Sequence, residues 1–162
     1  MALIVSDTSP IHYLALIEET HIFPALFGRV IIPQKVFDEL QQPKTPQAVK
    51  DLAVSRPPWI EVRAISTPID SALSHLDRGE QEAITLALEI QASTLLIDET
   101  KGRRAAKLKG LKIIGILGVL FAAAEAGLCD LEDAFDKLKH TNFRASESLY
   151  QQFIMQYKQG KQ

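Results

Sequence analysis

The sequence predicts an α/β fold built on a parallel sheet, and three observations carry that prediction. Residues 2–6 and 94–97 are short, unbroken runs of β-prone apolar residues, the pattern of strands buried on both faces. Segments with helical spacing of apolar residues lie between and after them, and strands alternating with helices close into a parallel sheet through right-handed crossovers. The length, 162 residues with 46% hydrophobic content, suits one domain that can bury a core without disulfides.

Taken in order, residues 2–6 form the first strand, and Val30-Ile31-Ile32 is a shorter one. Pro33 is a good first-turn residue for a helix over 34–41. Pro43, Pro46, Pro57, Pro58 and Pro68 punctuate the middle of the chain, where loops and short helices belong. A helix over 79–91 places Ala83, Leu86, Ala87 and Ile90 on one face, and residues 94–97 form the next buried strand. A basic amphipathic helix over 100–109 leads to a short strand at Lys112-Ile113-Ile114. Helices over 115–126, 131–140 and 146–157 complete the chain, the first rich in small residues that suit a dimer interface or ordinary core packing. One domain is expected over 1–156, with 157–162 a frayed tail.

Eighteen Lys and Arg against twenty Asp and Glu leave a net charge of −2, which excludes attachment to nucleic acid by bulk charge but permits a local basic patch. One cysteine, Cys129, excludes an intrachain disulfide and a Cys-based zinc site and points to the cytosol. The opening residues lack the basic start and apolar length of a signal peptide. The apolar stretch 113–124 is too short to span a bilayer, so no membrane association is expected. His12, His21, His75 and His140 have no metal-binding spacing and read as structural or surface residues, and Trp59 reads as a core anchor.

Two of the apolar strands run into aspartate, Asp7 and Asp98. Ligands of open parallel sheets bind beyond the carboxyl ends of the strands, so both carboxylates are expected at one crevice. An aspartate at a strand end also serves as a helix cap; two together, each in an acid-rich stretch, favour a site. Glu39 lies on the flank of an apolar helix face made by Val36, Phe37 and Leu40, while Asp38 points to solvent. Glu80 and Glu82 open the 79–91 helix. Glu80 falls within its apolar arc and Glu82 at the border, and either can look into the crevice.

Carboxylates crowded together stay ionised only around a cation, and oxygen ligands without Cys or His select a hard ion, Mg²⁺ or Mn²⁺. Such an ion suits attack of water on a phosphodiester. Lys101, Arg103, Arg104, Lys107 and Lys109 follow Asp98 with no acid among them, and Arg103 and Lys107 share a helix face. This patch can meet a sugar-phosphate backbone or be a solvated face.

Four blocks in order resemble the acidic motifs of PIN domains: Ile4-Val5-Ser6-Asp7-Thr8-Ser9-Pro10, Val36-Phe37-Asp38-Glu39-Leu40, Asp77-Arg78-Gly79-Glu80-Gln81-Glu82-Ala83-Ile84, and Leu96-Ile97-Asp98-Glu99 with Gly102-Arg103. The likeness covers residues 2 to about 128 and is nearest a prokaryotic PIN-like subfamily related to VapC toxins. It implies a three-layer α/β/α sandwich and a Mg²⁺- or Mn²⁺-dependent ribonuclease leaving a 5′-phosphate and a 3′-hydroxyl. It also implies frequent homodimers, RNA as substrate and, for a toxin, an antitoxin protein as partner. Matched by position, the catalytic and metal-binding acids are Asp7, Glu39, Glu82 and Asp98, with Glu80 and Glu99 as extra acids beside the site. Ser9 matches a hydroxyl that supports the first acid, and Arg103 a phosphate contact, with Arg104 and Lys107 beside it. Ile116 stands where the family more often has threonine, so that side chain offers no hydrogen bond.

Two other function classes also fit strand-end aspartates. A phosphatase of the haloacid dehalogenase type needs Asp-x-Asp, which Asp7-Thr8-Ser9 lacks, and a phosphate receiver needs a lysine at a later strand end, whereas Lys112 starts a strand. A PIN-like module that binds nucleic acid or protein without cleaving it is the remaining alternative.

Overall fold

The computed structural model describes residues 2–161. Five parallel strands form one sheet: β1 (Ile4–Ser6), β2 (Val30–Pro33), β3 (Ile60–Arg63), β4 (Thr94–Leu96) and β5 (Ile113–Ile114). Their order is β3-β2-β1-β4-β5. Val5 pairs with Ile31 on one side of β1, Ser6 pairs with Leu96 on the other, and Leu96 in turn with Ile114. The chain builds outward from β1 to β3, then crosses back to lay β4 on the other side. The order therefore reverses between β1 and β4, where parallel sheets open a ligand crevice.

The helices among the described residues are α1 (Thr8–Leu16), α2 (Ile22–Phe27), α3 (Gln34–Glu39), α4 (Gln47–Ser55), α5 (Arg78–Glu89), α6 (Thr100–Leu108), α7 (Ile116–Glu125), α8 (Leu131–Lys139) and α9 (Glu147–Gly160). A 3₁₀ turn covers Ser71–Leu73. Strand side chains alternate between the faces. Ile4, Val30, Ile32 and Leu96 point into a large core with Leu14 of α1, Val49 of α4, Leu120 of α7, Phe135 of α8 and Ile154 of α9. Val5, Ile31, Leu95 and Ile97 point the other way, against Ala83, Ile84 and Ala87 of α5 and Ala106 of α6. This is the expected three-layer α/β/α sandwich. Phe23, Ile11 and Leu14 are among the side chains with no exposed surface, each stabilising the fold by roughly 1.5–3 kcal/mol.

Several elements differ from the sequence reading. β3 lies inside the Pro-rich stretch: Ile60 is buried while Glu61, on the opposite face, takes Arg29 at 2.9 Å, an alternation suited to an edge strand. α1 and α2 also fill segments without a clear amphipathic stripe; α1 buries Ile11, Leu14 and Ala15. α5 ends because Gln91 adopts the left-handed conformation (φ 52°), a helix stop that no glycine advertises. α9 continues to Gly160 rather than fraying at 157: half-buried Tyr157 packs against the large core and its hydroxyl reaches the Ala124 carbonyl at 3.5 Å. Residue 162 of the expected tail lies outside the described residues. Core packing uses α7, burying Ile116, Leu117, Val119, Leu120, Ala123 and Ala124. Trp59 stacks on Phe23, ring centroids 5.1 Å apart. Among the described residues no helix is long and apolar enough to cross a membrane.

Candidate active site

Asp7 and Asp98 follow the two strands that flank the reversal of strand order, so both stand on the carboxyl rim of the sheet. The Asp7 amide donates to the Leu96 carbonyl at 2.9 Å, which ties this acid to β4. Asp7 is 4% exposed. The Asp98 carboxylate accepts from the Ile116 amide at 3.0 Å, at the first residue of α7. The backbone N–H at Ile116 thus supplies a hydrogen bond that its side chain lacks, and the partial positive charge of a helix start faces the acid.

α3 and α5 bring three further acids. Glu39, the last residue of α3, accepts a short hydrogen bond from the Thr8 hydroxyl. Asp77 caps α5: it accepts from the Glu80 amide at 2.8 Å, while Glu80 Oε1 accepts from the Asp77 amide at 3.3 Å. This reciprocal capping box fixes the Glu80 side chain, whose Oε2 is buried with no hydrogen-bond partner. Three glycines admit these acids. A Cβ on Gly79 would stand 2.6 Å from Glu39 Oε1, and one on Gly115 would stand 2.9 Å from Asp98 Oδ1. One on Gly102 of α6 would overlap Glu80 Oε2. None of the three has a positive φ, so the requirement is space rather than backbone freedom.

Glu82 has partners of its own. Its Oε2 pairs with Arg78 at 3.1 Å and its Oε1 accepts from the Lys35 amide at 3.2 Å, so it joins α5 to the start of α3 instead of facing Asp7. A two-residue step along a helix turns the side chain by about 200°, and Glu80 holds the inward position. Thr8, one residue before Ser9, supplies the hydroxyl that orients an acid. Glu99 is exposed at the cap position of α6, and its charge acts on Asp7 and Asp98.

The electrostatics tie the rim together. Burial, with Asp77, Glu39 and Glu99 nearby, pushes the Asp7 carboxyl up to about 7. Burial, then the charges of Asp77 and Asp7, pushes Glu80 up to about 8. Glu39 and Asp98 are also raised, chiefly by burial; the Thr8 hydroxyl opposes the shift in Glu39, and the Ile116 amide and Arg103 oppose it in Asp98. Among the described residues, no three acid, imidazole or thiol groups are placed to hold a metal ion as they stand. The donor chemistry nonetheless fits one. Hard carboxylate oxygens, an orphaned Glu80 Oε2 and mutual repulsion are what a divalent cation satisfies.

Arg103 sits at the border of acids and basic patch, its Nη1 donating to the Ile97 carbonyl at 3.1 Å. It lines a shallow pocket with Thr100, Arg104 and Lys107, and the last two are exposed. A larger cavity of about 540 Å³ opens beside Asp98 and Arg103 toward Phe143 and Arg144. On the opposite side of the rim, Thr8, His12, Glu39, Lys44 and Asp77 line a polar groove. Sequence reasoning passed over Asp77, although the Asp-x-x-Glu spacing to Glu80 signals a capping box. It also placed His12 on the surface or in the core; nothing in a lone histidine marks the groove it lines.

A family model described as DUF3368, a PIN domain, matches residues 3–159. No curated protein matches the chain. Among solved structures, the chain is similar to a PilT N-terminus domain protein, SSO1118, from the hyperthermophilic archaeon Sulfolobus solfataricus P2. The two share 19% identity over 90% of this chain and 100% of that one, with a TM-score of 0.49.

Proposed function

The chain belongs to the PIN-domain family, a nuclease fold that generally uses divalent metals, and on that premise we propose that it is a Mg²⁺- or Mn²⁺-dependent endoribonuclease. The observation that carries the reading is that Asp7 and Asp98 follow the adjacent strands at the reversal of strand order, with the orphaned carboxylate oxygen of Glu80 buried beside the same strand ends. Asp7, Glu80 and Asp98 are the residues that would hold the ion, with Glu39 and Asp77 flanking them. When bound, the ion supplies charge neutralisation to a phosphodiester and acidifies the attacking water.

The protein's own part is positioning. β1 and β4 hold Asp7 and Asp98 on a rigid rim, and the Ile116 amide fixes the Asp98 carboxylate. Thr8 orients Glu39, and the Asp77 capping box orients Glu80. Arg104 and Lys107, exposed beyond the acids, face phosphates of the bound strand. A toxin role, an antitoxin partner, a homodimer and a cytoplasmic location are proposals resting on the likeness of the acidic blocks and on the cysteine-poor composition.

Labelled single-stranded RNA incubated with Mn²⁺ tests the reading. Cleavage abolished by EDTA and by Asp98→Asn supports it. RNA binding without cleavage by the wild-type protein replaces it with the non-catalytic module.

A further inference from the structure

The cavity beside Asp98 has a wall that the acidic site does not explain. The loop between α8 and α9 brings Phe143 and Arg144 to it, and α9 adds Leu149 and Phe153. Asp98 and Arg103 form the side nearest the acids, so the cavity is continuous with the catalytic rim. Its volume, about 540 Å³, falls within the roughly 300–1,000 Å³ of small-molecule sites.

The loop is held in place. Phe143 packs edge-on against Tyr13 of α1 at 5.2 Å, and the Tyr13 hydroxyl donates to Asn142 at 2.7 Å. The Phe143 amide donates to the Thr141 hydroxyl at 3.1 Å, and Ser146 caps α9 through the Leu149 amide at 3.1 Å. Arg144 itself is exposed, and among the described residues it has no carboxylate in ion-pair range. An unpaired guanidinium beside aromatic and aliphatic surface, next to a phosphodiester-cleaving rim, matches one chemistry. It is the chemistry of a nucleotide splayed from a single strand, its base on the apolar wall and its phosphate on the arginine.

We propose that this cavity holds the nucleotide adjoining the scissile phosphate of single-stranded RNA, with Arg144 binding its phosphate and the Phe143, Leu149 and Phe153 wall receiving its base. The proposal rests on the ribonuclease reading for its position relative to the cut, but it concerns binding and is tested without metal. Fluorescence anisotropy in EDTA, with a short labelled single-stranded RNA, compares wild type with Arg144→Ala, Arg144→Lys and Leu149→Trp. Arg144→Ala is expected to weaken binding about tenfold and to lower the salt slope by about one, with Arg144→Lys recovering the slope. Replacing the RNA by an abasic oligonucleotide of equal length should cost wild type about tenfold and Leu149→Trp, which narrows the cavity at its apolar wall, less. In Mn²⁺, Arg144→Ala should raise KM more than it lowers kcat. Wild-type affinity in Arg144→Ala, or no abasic penalty in wild type, overturns the proposal even if RNA is cleaved. Loss of binding in Arg144→Ala with no cleavage by wild type overturns only the ribonuclease reading and supports the cavity as a nucleotide site.

Discussion

Gly102 of α6 lies so close to Glu80 of α5 that any side chain at the glycine would occupy the space of the Glu80 carboxylate. The glycine is buried, and the carboxylate oxygen it faces is the one without a partner. Gly102→Ala is therefore expected to cost about 1–3 kcal/mol in urea unfolding by overpacking. Combined with Glu80→Ala, the same change should cost much less than the sum of the two single changes. Additive costs in that double-mutant cycle would separate Gly102 from Glu80.

Glu80 and Glu82 are expected to behave differently although they are two residues apart. Glu80→Gln should weaken Mn²⁺ binding, read by titration calorimetry, and lower cleavage about a hundredfold or more. Glu82→Gln removes a partly exposed ion pair with Arg78 and keeps a carbonyl oxygen that can accept from the Lys35 amide. It should leave Mn²⁺ affinity within about threefold and cost about 1 kcal/mol or less of stability. Equal losses from the two variants would return Glu82 to the site.

The metal-free protein is expected to lose stability as pH rises. Asp7 and Glu80 bind their protons more tightly folded than unfolded. The stability this lends is full below the ordinary carboxylate range and disappears as pH climbs to about 7 for Asp7 and about 8 for Glu80. Thermal melts in EDTA should fall in Tm between about pH 5 and about pH 8. Asp7→Asn should flatten that slope and stabilise the protein at the upper end by on the order of a few kcal/mol. A profile that rises with pH, or is unchanged in Asp7→Asn, contradicts the buried, mutually repelling acids.

Arg104 and Lys107 are predicted to contribute affinity without sequence preference. Each alanine variant should weaken RNA binding at low salt, reduce the salt slope by about one and leave discrimination among RNAs unchanged. Binding competition among RNAs of different sequence measures this directly.

The sequence made the sheet's centre legible because β1 and β4 are apolar runs that stop at acids, and burial on both faces leaves no other pattern. The edge was harder to read. β3 alternates Ile60, Glu61, Val62 and Arg63 within Pro-rich surroundings, so a search for continuous apolar runs passes over it. At the site, the helical wheel already placed Glu80 inside the apolar arc of α5; positional likeness pointed instead to Glu82. An acid on an apolar face must be desolvated by packing, and α6 does this through Gly102. Thr8 was hidden for another reason: its hydroxyl bonds to Glu39 through a tertiary contact that no local pattern encodes, whereas the Asp77 cap is local and its Asp-x-x-Glu spacing stood in the sequence. Arg144 belongs to a loop, and the contacts of that loop with Tyr13 of α1, which no local pattern encodes, hold it at the cavity beside Asp98.

The bond from the Asp7 amide to the Leu96 carbonyl joins the carboxyl ends of the paired strands β1 and β4, beside Ser6 and Leu96, which have no exposed surface. Deuterium should enter there last, on the timescale of global opening, while the amides of residues 141–145 exchange through local fluctuations. Cleavage chemistry and strand selection would then sit on parts of the molecule with separate clocks, and substitutions in the outer loop could retune which RNA is held without loosening the anchor of the cut.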